Sequence, residues 1–283
     1  MTTPIKRKPH WMKSPLPSGD KYIQVRETIA ENNLHTICTS GKCPNKGECW
    51  NAGTATFMIL GDICTRSCKF CATNTGKPLP VDYDEPQRIA QSVKKLHIKH
   101  CVLTSVDRDD LEDGGADIWA KTIRAIKECT PDVTIEALIP DFNGKVSDIA
   151  KVLTADAEIV SHNLETVRRL TATTRSKAKY ELSLKVLEQI AKSGTRAKSG
   201  IMLGIGETRV EILETMDDLR EVGVEVLTLG QYLQPSIHHL PLEEFITPEI
   251  FKEYEIIGLE KGFKYVESGP SVRSSYHAEK HIK

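Results

Sequence analysis

The sequence predicts an α/β fold in which a parallel sheet curls into an incomplete barrel. This prediction depends on the alternation of the segments and on the length of the chain. Short strand-like segments alternate with helical segments from residue 55 onward, parallel strands need helical crossovers, and those crossovers are right-handed. A complete eight-unit barrel takes about 250 residues, which is more than the segment from 55 to 261 supplies. We therefore expect an incomplete (β/α)6 TIM-like barrel with N-terminal and C-terminal extensions.

The first predicted element is an amphipathic helix from Asp20 to about His35, where Ile23 and Ile29 contribute to an apolar face. The barrel strands that follow are short segments rich in apolar and β-branched residues. Their predicted bounds are Ala55 to Leu60, His100 to Ser105, Val133 to Ile139, Glu158 to His162, Thr195 to Leu203 and Val224 to Leu229.

The intervening helices are bounded by glycine, proline and aspartate. Their predicted bounds are Glu85 to Leu96, Ala116 to Glu128, Lys145 to Leu153, Lys179 to Lys192, Thr208 to Glu221 and Thr247 to Lys261. No long repeat, low-complexity tract or Gly/Ser linker marks a domain boundary. We expect a single domain over 1–283, made of an N-terminal extension (1–54), a barrel core (55–262) and a C-terminal extension (263–283).

Composition excludes several classes of function. The 38 basic and 39 acidic residues give a net charge of -1, which argues against a mainly electrostatic binder of nucleic acid or membrane. The sequence contains no run of about eighteen apolar residues. Its start, MTTPIKRKPHWMKSP, lacks the apolar stretch of a secretory signal. These features predict a cytoplasmic protein whose partners are small molecules or other proteins.

The cysteines are the most informative residues. Six of the eight form two triplets, namely Cys38, Cys43 and Cys49, then Cys64, Cys68 and Cys71. Disulfide frameworks are typical of small secreted chains, so we do not expect these cysteines to form one. Structural zinc is a stronger alternative, although neither triplet has the paired CxxC knuckles common in such sites. The CxxxCxxC spacing, with Phe70 before the last cysteine, favours an iron-sulfur cluster that leaves one iron free.

The second triplet, in GDICTRSCKFC, follows the first barrel strand directly. A loop at the carboxyl end of a parallel strand projects into the barrel mouth, where active sites collect. This motif on a partial barrel resembles the radical S-adenosylmethionine superfamily. The resemblance implies that three cysteines hold a 4Fe-4S cluster and that S-adenosylmethionine chelates its fourth iron. Cys64, Cys68 and Cys71 match that motif position by position.

The first triplet, in CTSGKCPNKGECW, resembles the motif that distinguishes lipoyl synthases within this superfamily. Five further segments are similar to lipoyl synthase sequence, and the likeness extends from about residue 20 onward. They are DRDDLEDGGA (Asp107 to Ala116), SHNLETV (Ser161 to Val167), KSGIMLGIGET (Lys198 to Thr208), GQYLQPS (Gly230 to Ser236) and RSSYHA (Arg273 to Ala278).

The resemblance implies insertion of two sulfur atoms, at C6 and C8, into an octanoyl group on a carrier-protein lysine. The first triplet would hold a second 4Fe-4S cluster that donates the sulfur, with Ser275 of the RSSY motif as its fourth ligand. The hydrogens on these carbons are not acidic, so a general base cannot remove them and radical chemistry is needed. In keeping with this, the sequence has no Ser-His-Asp signature and no HExxH motif.

The resemblance also implies partners. These are an octanoylated lipoyl carrier protein (H protein or E2 lipoyl domain), an electron donor such as ferredoxin or flavodoxin, and an iron-sulfur carrier that rebuilds the spent cluster. Two alternatives stay open at this point. One is a noncatalytic metal-binding or electron-transfer protein with permanent clusters or zinc, and the other is a sulfur-inserting enzyme of the biotin synthase kind.

Several polar residues near predicted strand ends are candidates for binding S-adenosylmethionine. Asn163 and Glu165 have the groups to hydrogen-bond its ribose or amino group, although such residues also cap helices. Arg175 is a candidate for pairing with its carboxylate, unless it is a solvated surface group. Gly204 either lets the backbone approach the adenine or shapes a turn. The full set of expected contacts is Phe70, Thr104, Ser105, Asn163, Glu165, Arg175 and Gly204.

The other conspicuous residues are not expected to take part in the chemistry. Cys101 and Cys129 stand alone and are expected to be buried, inert thiols. His238 and His239 are expected to be loop or surface residues and not metal ligands. The run from Lys6 to Lys8 is either a solvated tail or an aid to docking an acidic carrier.

Overall fold

The computed structural model describes residues 6–12 and 18–282, in which ten β-strands occur. Residues 1–5, 13–17 and 283, which belong to the predicted extensions, lie outside the described residues. The strands are β1 (His35–Thr36), β2 (Thr56–Ile59), β3 (Ile63–Cys64), β4 (Asn74–Thr75), β5 (His100–Ser105), β6 (Thr134–Leu138), β7 (Ile159–Ser161), β8 (Arg196–Leu203), β9 (Val226–Gln231) and β10 (Tyr265–Gly269).

The described ranges also contain ten α-helices. These are α1 (Asp20–Glu31), α2 (Ile37–Ser40), α3 (Lys46–Asn51), α4 (Glu85–Lys95), α5 (Ala116–Cys129), α6 (Val146–Leu153), α7 (Arg168–Thr174), α8 (Tyr180–Lys192), α9 (Arg209–Glu221) and α10 (Pro248–Glu260). Short 3-10 helices lie at His10–Met12, Phe142–Gly144 and Ala278–Ile282.

The main sheet confirms the predicted partial barrel. Its strand order is β1-β2-β5-β6-β7-β8-β9-β10, and every neighbouring pair from β2 to β10 is parallel. A helix follows each of the strands β5 to β9 and returns the chain to the start of the next strand, as parallel pairing requires. Within the described part of the chain the order runs from β1 to β10 without closing, so the barrel is open between these two edges.

The two extensions contribute more to the sheet than the sequence predicts. β10 pairs in parallel with β9, so the barrel continues beyond residue 262, where the sequence places its boundary. The segment YVESG has too little apolar alternation to signal a strand by itself. At the other end α1 stops at Glu31 and not at His35, because Asn33 turns the backbone with a φ of 47°. β1 then pairs antiparallel with β2.

Apolar residues between the sheet and the surrounding helices form the main core. Phe57, Leu103 and Ile135 on the strands are fully buried, as are Trp119 and Ile126 of α5. Burying each such side chain contributes about 1.5–3 kcal/mol. A smaller apolar cluster attaches the N-terminal extension, and its buried members are Val25, Cys38, Trp50 and Ala55. Across the described residues, none of the helices has both the length and the apolar character needed to cross a membrane.

Candidate active site

A cavity of about 550 Å³ opens at the carboxyl end of the barrel strands. This volume lies within the range of about 300–1,000 Å³ that is usual for small-molecule sites. Both cysteine triplets reach it, and all eight cysteines are free thiols. The cysteines in the cavity wall are Cys38, Cys43, Cys64, Cys68 and Cys71. The two motifs that are separate in sequence therefore share one chamber.

The loop that follows β2 presents the second triplet. Strands β3 and β4 pair with each other and close the loop at its base. The Cys64 sulfur accepts hydrogen bonds from the backbone N–H groups of Arg66 and Asp107, at 3.4 and 3.3 Å. The backbone N–H of Cys71 donates to the Cys68 carbonyl at 3.1 Å, which sets the spacing of the last two cysteines. Backbone donors aimed at a sulfur favour its thiolate form.

Arg66, inside the CxxxCxxC loop, fixes this loop to the neighbouring loops of the barrel mouth. Its guanidinium is almost fully buried and pairs with three carboxylates. The closest distances are 2.7 Å to Asp141, 2.8 Å to Asp109 and 3.3 Å to Asp107. The carboxylates follow β5 and β6, so one side chain joins the loops after three adjacent strands. Sequence reasoning missed this role, although Arg66 lies within the quoted motif.

Burial raises the pKa of four thiols in the two triplets of the ligand-free protein, which favours their protonated form. Burial, and next the charge of Asp107, raise the pKa of Cys64 to about 12. Burial, and next the neighbouring Cys38 and Cys43, raise the pKa of Cys49 to about 12. This mutual influence places Cys49 beside its two partners, although it does not line the cavity. Because ligation to a metal removes a thiol proton, such groups stay inert until a cation reaches them.

The first triplet meets the C-terminal segment that carries the RSSY motif. Asn45, between Cys43 and Cys49, donates a hydrogen bond of 2.7 Å to the Ser271 carbonyl. The Tyr276 hydroxyl contacts a Glu48 carboxylate oxygen at 3.3 Å. Ser274 and Ser275 both line the cavity. The predicted fourth ligand therefore lies on the segment that faces this triplet.

Several residues expected to bind S-adenosylmethionine contribute polar side chains to the same chamber. The amide nitrogen of Asn163 donates to the Ser274 hydroxyl at 2.7 Å. Among the described residues, its carbonyl oxygen Oδ1 is buried without a hydrogen-bond partner. Burial raises the pKa of Glu165, whose φ of 68° is rare for a residue with a side chain. Strained backbone of this kind concentrates at functional sites.

A buried hydrogen-bond chain holds Arg175. The His162 Nδ1 atom faces the Ile139 carbonyl at 2.9 Å, and a carbonyl only accepts, so Nδ1 carries the proton. His162 Nε2 then accepts from the Ser183 hydroxyl at 2.9 Å. Ser183 in turn accepts from the Arg175 guanidinium at 2.9 Å. Burial, and next the Arg175 charge, lower the pKa of His162 to about 4, so this chain contains a neutral imidazole.

Glycines shape the floor of the chamber and the turn beside it. A Cβ on Gly200, which lines the cavity, would lie 2.3 Å from the Thr228 hydroxyl and 3.3 Å from Asn163 Oδ1. Gly204 lies outside the cavity wall. It has a φ of 98°, and a Cβ there would lie 2.4 Å from both Gln231 Nε2 and the Glu244 carbonyl. The structure thus supports the turn alternative for Gly204.

The other residues singled out in the sequence lie either in the cavity wall or away from it. Phe70, Thr104, Ser105, Glu165 and Arg175 line the cavity with Asn163. Cys101 is fully buried, as expected, whereas Cys129 ends α5 and is only half-buried, which corrects the expectation for that residue. His239 lies in a loop, as expected, and is half-buried. Its Nε2 contacts the Cys71 carbonyl at 3.0 Å, so it braces the cysteine loop.

The donors present fit the two groups that the motifs imply. Each triplet supplies free thiols, and the unpartnered Asn163 Oδ1 and the space at Gly200 leave room for a polar ligand beside the second triplet. In the part of the chain that the structure describes, no three His, Cys, Asp or Glu side chains are close enough to hold a single metal ion. A cubane cluster differs from a single ion, because each thiolate binds its own iron.

Comparisons with known proteins agree with this geometry. The model of the Radical SAM superfamily matches residues 58–219. A lipoyl synthase of Treponema denticola is 62% identical over 276 residues, covering 98% of this chain and 95% of the relative. A lipoyl synthase of Flavobacterium psychrophilum is 58% identical, covering 97% of this chain and 95% of the relative.

Solved structures show the same fold at low identity. Methylornithine synthase (PylB) has a TM-score of 0.57 at 12% identity and covers 90% of this chain and 83% of its own. Streptococcus suis SuiB bound to S-adenosylmethionine has a TM-score of 0.59 at 10% identity, covering 79% of this chain and 54% of its own. The sequence matches are far more specific than these structural ones. On these matches, the chain belongs to the lipoyl synthase family of the radical SAM superfamily.

Proposed function

We infer that this enzyme inserts sulfur at C6 and C8 of an octanoyl group attached to a carrier-protein lysine, giving the lipoyl cofactor. The observation that carries this inference is the single chamber reached by both cysteine triplets. When bound, a 4Fe-4S cluster with S-adenosylmethionine supplies the hydrogen-abstracting radical, and a second 4Fe-4S cluster supplies the sulfur. The protein contributes placement, charge and exclusion of water.

Cys64, Cys68 and Cys71 hold the first of these groups in our proposal. The loop that bears them is fixed by Arg66 from one side and by His239 from the other. A ligand positioned by such a braced loop has little freedom to move away from a reactive geometry.

S-adenosylmethionine is assigned to the polar side chains beside this triplet. Asn163 offers its unpartnered Oδ1 to a donor such as the ribose hydroxyl or the amino group. Glu165 suits an amino group, and the planar guanidinium of Arg175 suits the carboxylate. Thr104 and Ser105, at the end of β5, add hydroxyl groups to the same wall. Polar groups at fixed points orient a ligand in an otherwise apolar pocket.

Cys38, Cys43 and Cys49 hold the second group, with Ser275 as its fourth ligand. A serine oxygen is a harder ligand than a thiolate and binds iron less firmly. A cluster held in this way is easier to dismantle, which suits a group that gives up its sulfur.

Apolar side chains in the wall of the chamber suit the octanoyl chain. They belong to Leu138, Ile139, Ile201, Met202 and Leu233. An acyl chain gains about 0.8 kcal/mol for each methylene group buried against such surfaces. The same surfaces keep water and stray hydrogen donors from the reacting carbons.

The substrate is an octanoylated carrier protein, for which we propose an H protein or an E2 lipoyl domain. A ferredoxin or flavodoxin is the proposed electron donor, and an iron-sulfur carrier is proposed to rebuild the spent cluster. We also place the enzyme in the cytoplasm. Its eight free thiols suit a reducing compartment.

The proposed role of Ser275 is tested by Ser275→Ala in protein reconstituted anaerobically with iron and sulfide. We expect formation of 5'-deoxyadenosine to continue while lipoyl product falls at least 100-fold, because only the sulfur donor loses a ligand. Ser274→Ala is the matched control, and we expect it to keep most lipoyl formation. Mass spectrometry of an octanoyl-lysine peptide measures the lipoyl product of both variants, and chromatography of the small molecules measures 5'-deoxyadenosine. Product formation by Ser275→Ala at the level of the unmodified protein would exclude the ligand role.

A further inference from the structure

The segment that carries the RSSY motif continues into the lower half of the barrel. Its 3-10 helix, Ala278–Ile282, places His281 beside Arg196 of β8 and Glu267 of β10, outside the wall of the cysteine chamber. The His281 side chain is fully buried. Charged groups of the barrel interior surround it, although nothing in the proposed chemistry uses them.

A buried ion pair lies next to this histidine. Lys198 of β8 donates to Glu136 of β6 at 2.8 Å, and both side chains have at most 1% of their surface exposed. Ser161 of β7 donates to the other Glu136 oxygen at 3.3 Å. The Lys198 ammonium also faces His281 Nδ1 at 3.4 Å. The imidazole therefore completes a network that spans three strands.

Two further groups lie beside the same residue, and the first of them forms a hydrogen bond with it. Arg196, at the start of β8, donates to the His281 backbone carbonyl. Glu267 of β10 lies 3.6 Å from His281 Nε2. Burial, and next the Lys198 charge, lower the pKa of His281 to about 3, so at neutral pH its ring accepts from Lys198 and does not repel it.

The other end of this segment forms part of the active site. Asn45 holds the Ser271 carbonyl, Asn163 holds Ser274, and Tyr276 contacts Glu48. Only five residues separate Ser275 from His281. Because a segment this short has little extra length between its two fixed ends, a movement of His281 displaces Ser275.

We propose that His281 is a positioning residue: by docking on the buried Lys198–Glu136 pair, it holds the segment of Ser275 at the edge of the chamber. Without this contact, Ser275 is free to move away from the sulfur-donating cluster, while Cys38, Cys43 and Cys49 stay in place. The relation to the cluster rests on the proposed ligand role of Ser275. The anchoring by His281 does not rest on that role, because the contacts of His281 exist in the metal-free chain.

The anchoring is tested by hydrogen–deuterium exchange of the metal-free protein. His281→Leu fills the space but cannot accept from Lys198, and we expect peptides covering 271–276 to exchange at least tenfold faster. His281→Asn keeps an acceptor at the position of Nδ1 and should restore much of the protection. Lys280→Ala, on the exposed side of the same helix, is the matched control and should not change the exchange.

Peptides from α8 and β9 report in the same experiment whether the barrel stays folded. If His281→Leu leaves exchange over 271–276 unchanged, the inference is overturned. Equal acceleration throughout the barrel would also overturn it, because the residue would then serve general stability. Iron analysis of reconstituted Ser275→Ala separately tests the ligand role. A failure there removes the link to the cluster and leaves the exchange result standing.

Discussion

Arg66 neutralises part of a dense negative charge beside the second cysteine triplet. Hydrogen bonds from Arg66 hold the pKa of Asp109 well below its usual range. Burial opposes the same effect at Asp141, but Arg66 still lowers its pKa. Burial raises the pKa of Asp107. The Arg66 guanidinium therefore favours the ionised form of Asp109 and Asp141 and joins them to the loop, and without it their repulsion would open the loop.

We expect Arg66→Met to destabilise the metal-free protein by about 3–5 kcal/mol, the usual cost of removing one partner of a buried ion pair. Urea unfolding under reducing conditions measures the change. Arg88→Met removes an exposed pair with Asp82 and is the matched control, with an expected cost below about 1 kcal/mol. Equal effects of the two substitutions would contradict the role given to Arg66.

His162 makes the stability of the metal-free protein depend on pH. Its pKa is about 4 in the folded protein and about 6.5 in an unfolded chain. Between these values the unfolded chain binds a proton that the folded protein does not, so stability is lost as the pH falls. At full effect the loss is about 1.4 kcal/mol per pH unit.

His162→Gln should therefore make the free energy of unfolding fall less steeply between pH 6 and pH 4.5. The expected reduction in slope is up to about 1.4 kcal/mol per pH unit. Urea titrations across this range measure it. His238→Gln replaces an exposed histidine and should leave the slope unchanged. A slope that is the same with and without His162 would show that this residue titrates equally in both states.

At the scale of elements, the turn from β8 to α9 shows how close packing constrains the edge of the site. Glu207 accepts hydrogen bonds from the backbone N–H groups of Gly204 and Ile205, at 2.5 and 3.0 Å. Gly204 and Gly206 have nearly equal φ values, 98° and 99°. They differ in surroundings, because a Cβ on Gly206 would come no closer than 3.6 Å to its nearest neighbour, Glu243.

The pair of variants Gly204→Ala and Gly206→Ala separates a steric clash from backbone strain. Both carry the strain of a positive φ, about 1–2 kcal/mol. Only Gly204→Ala overpacks the turn, which should add about 1–3 kcal/mol. Urea unfolding of the metal-free variants measures the difference. Equal destabilisation would show that the turn relaxes to accept the extra methyl group.

Elements with a clear apolar pattern were predictable from sequence, whereas elements without one were not. β5 and the helices α4, α5 and α8 lie within one residue of their predicted bounds, because periodic apolar residues mark them. The short helix α7 and the strand β10 carry no such period. Their formation depends on neighbours distant in sequence, as when β10 adds to the edge of β9. A sequence window holds no information on such contacts.

At the scale of the whole molecule, two motifs far apart in the chain meet in one chamber. The cysteine spacings predicted which groups are bound, because ligand chemistry is local. The meeting of the first triplet with the RSSY segment was implied only by family resemblance. Asn45 and Ser271, which join them, are separated by 226 positions. The roles of Arg66 and His281 also arise from the fold, since their partners lie on other strands or in the loops that follow them.

In the proposed function the two triplets have different roles: the second holds the group that generates radicals, and the first holds the group that donates sulfur. The most direct test replaces Cys38, Cys43 and Cys49 together by alanine and reconstitutes both proteins anaerobically with isotopically heavy sulfide. S-adenosylmethionine, a reductant and an octanoyl-lysine peptide are then added, and the peptide is weighed. We predict two heavy sulfur atoms in peptide from the unmodified protein. The variant should form 5'-deoxyadenosine without adding sulfur, and sulfur insertion by that variant would contradict the account.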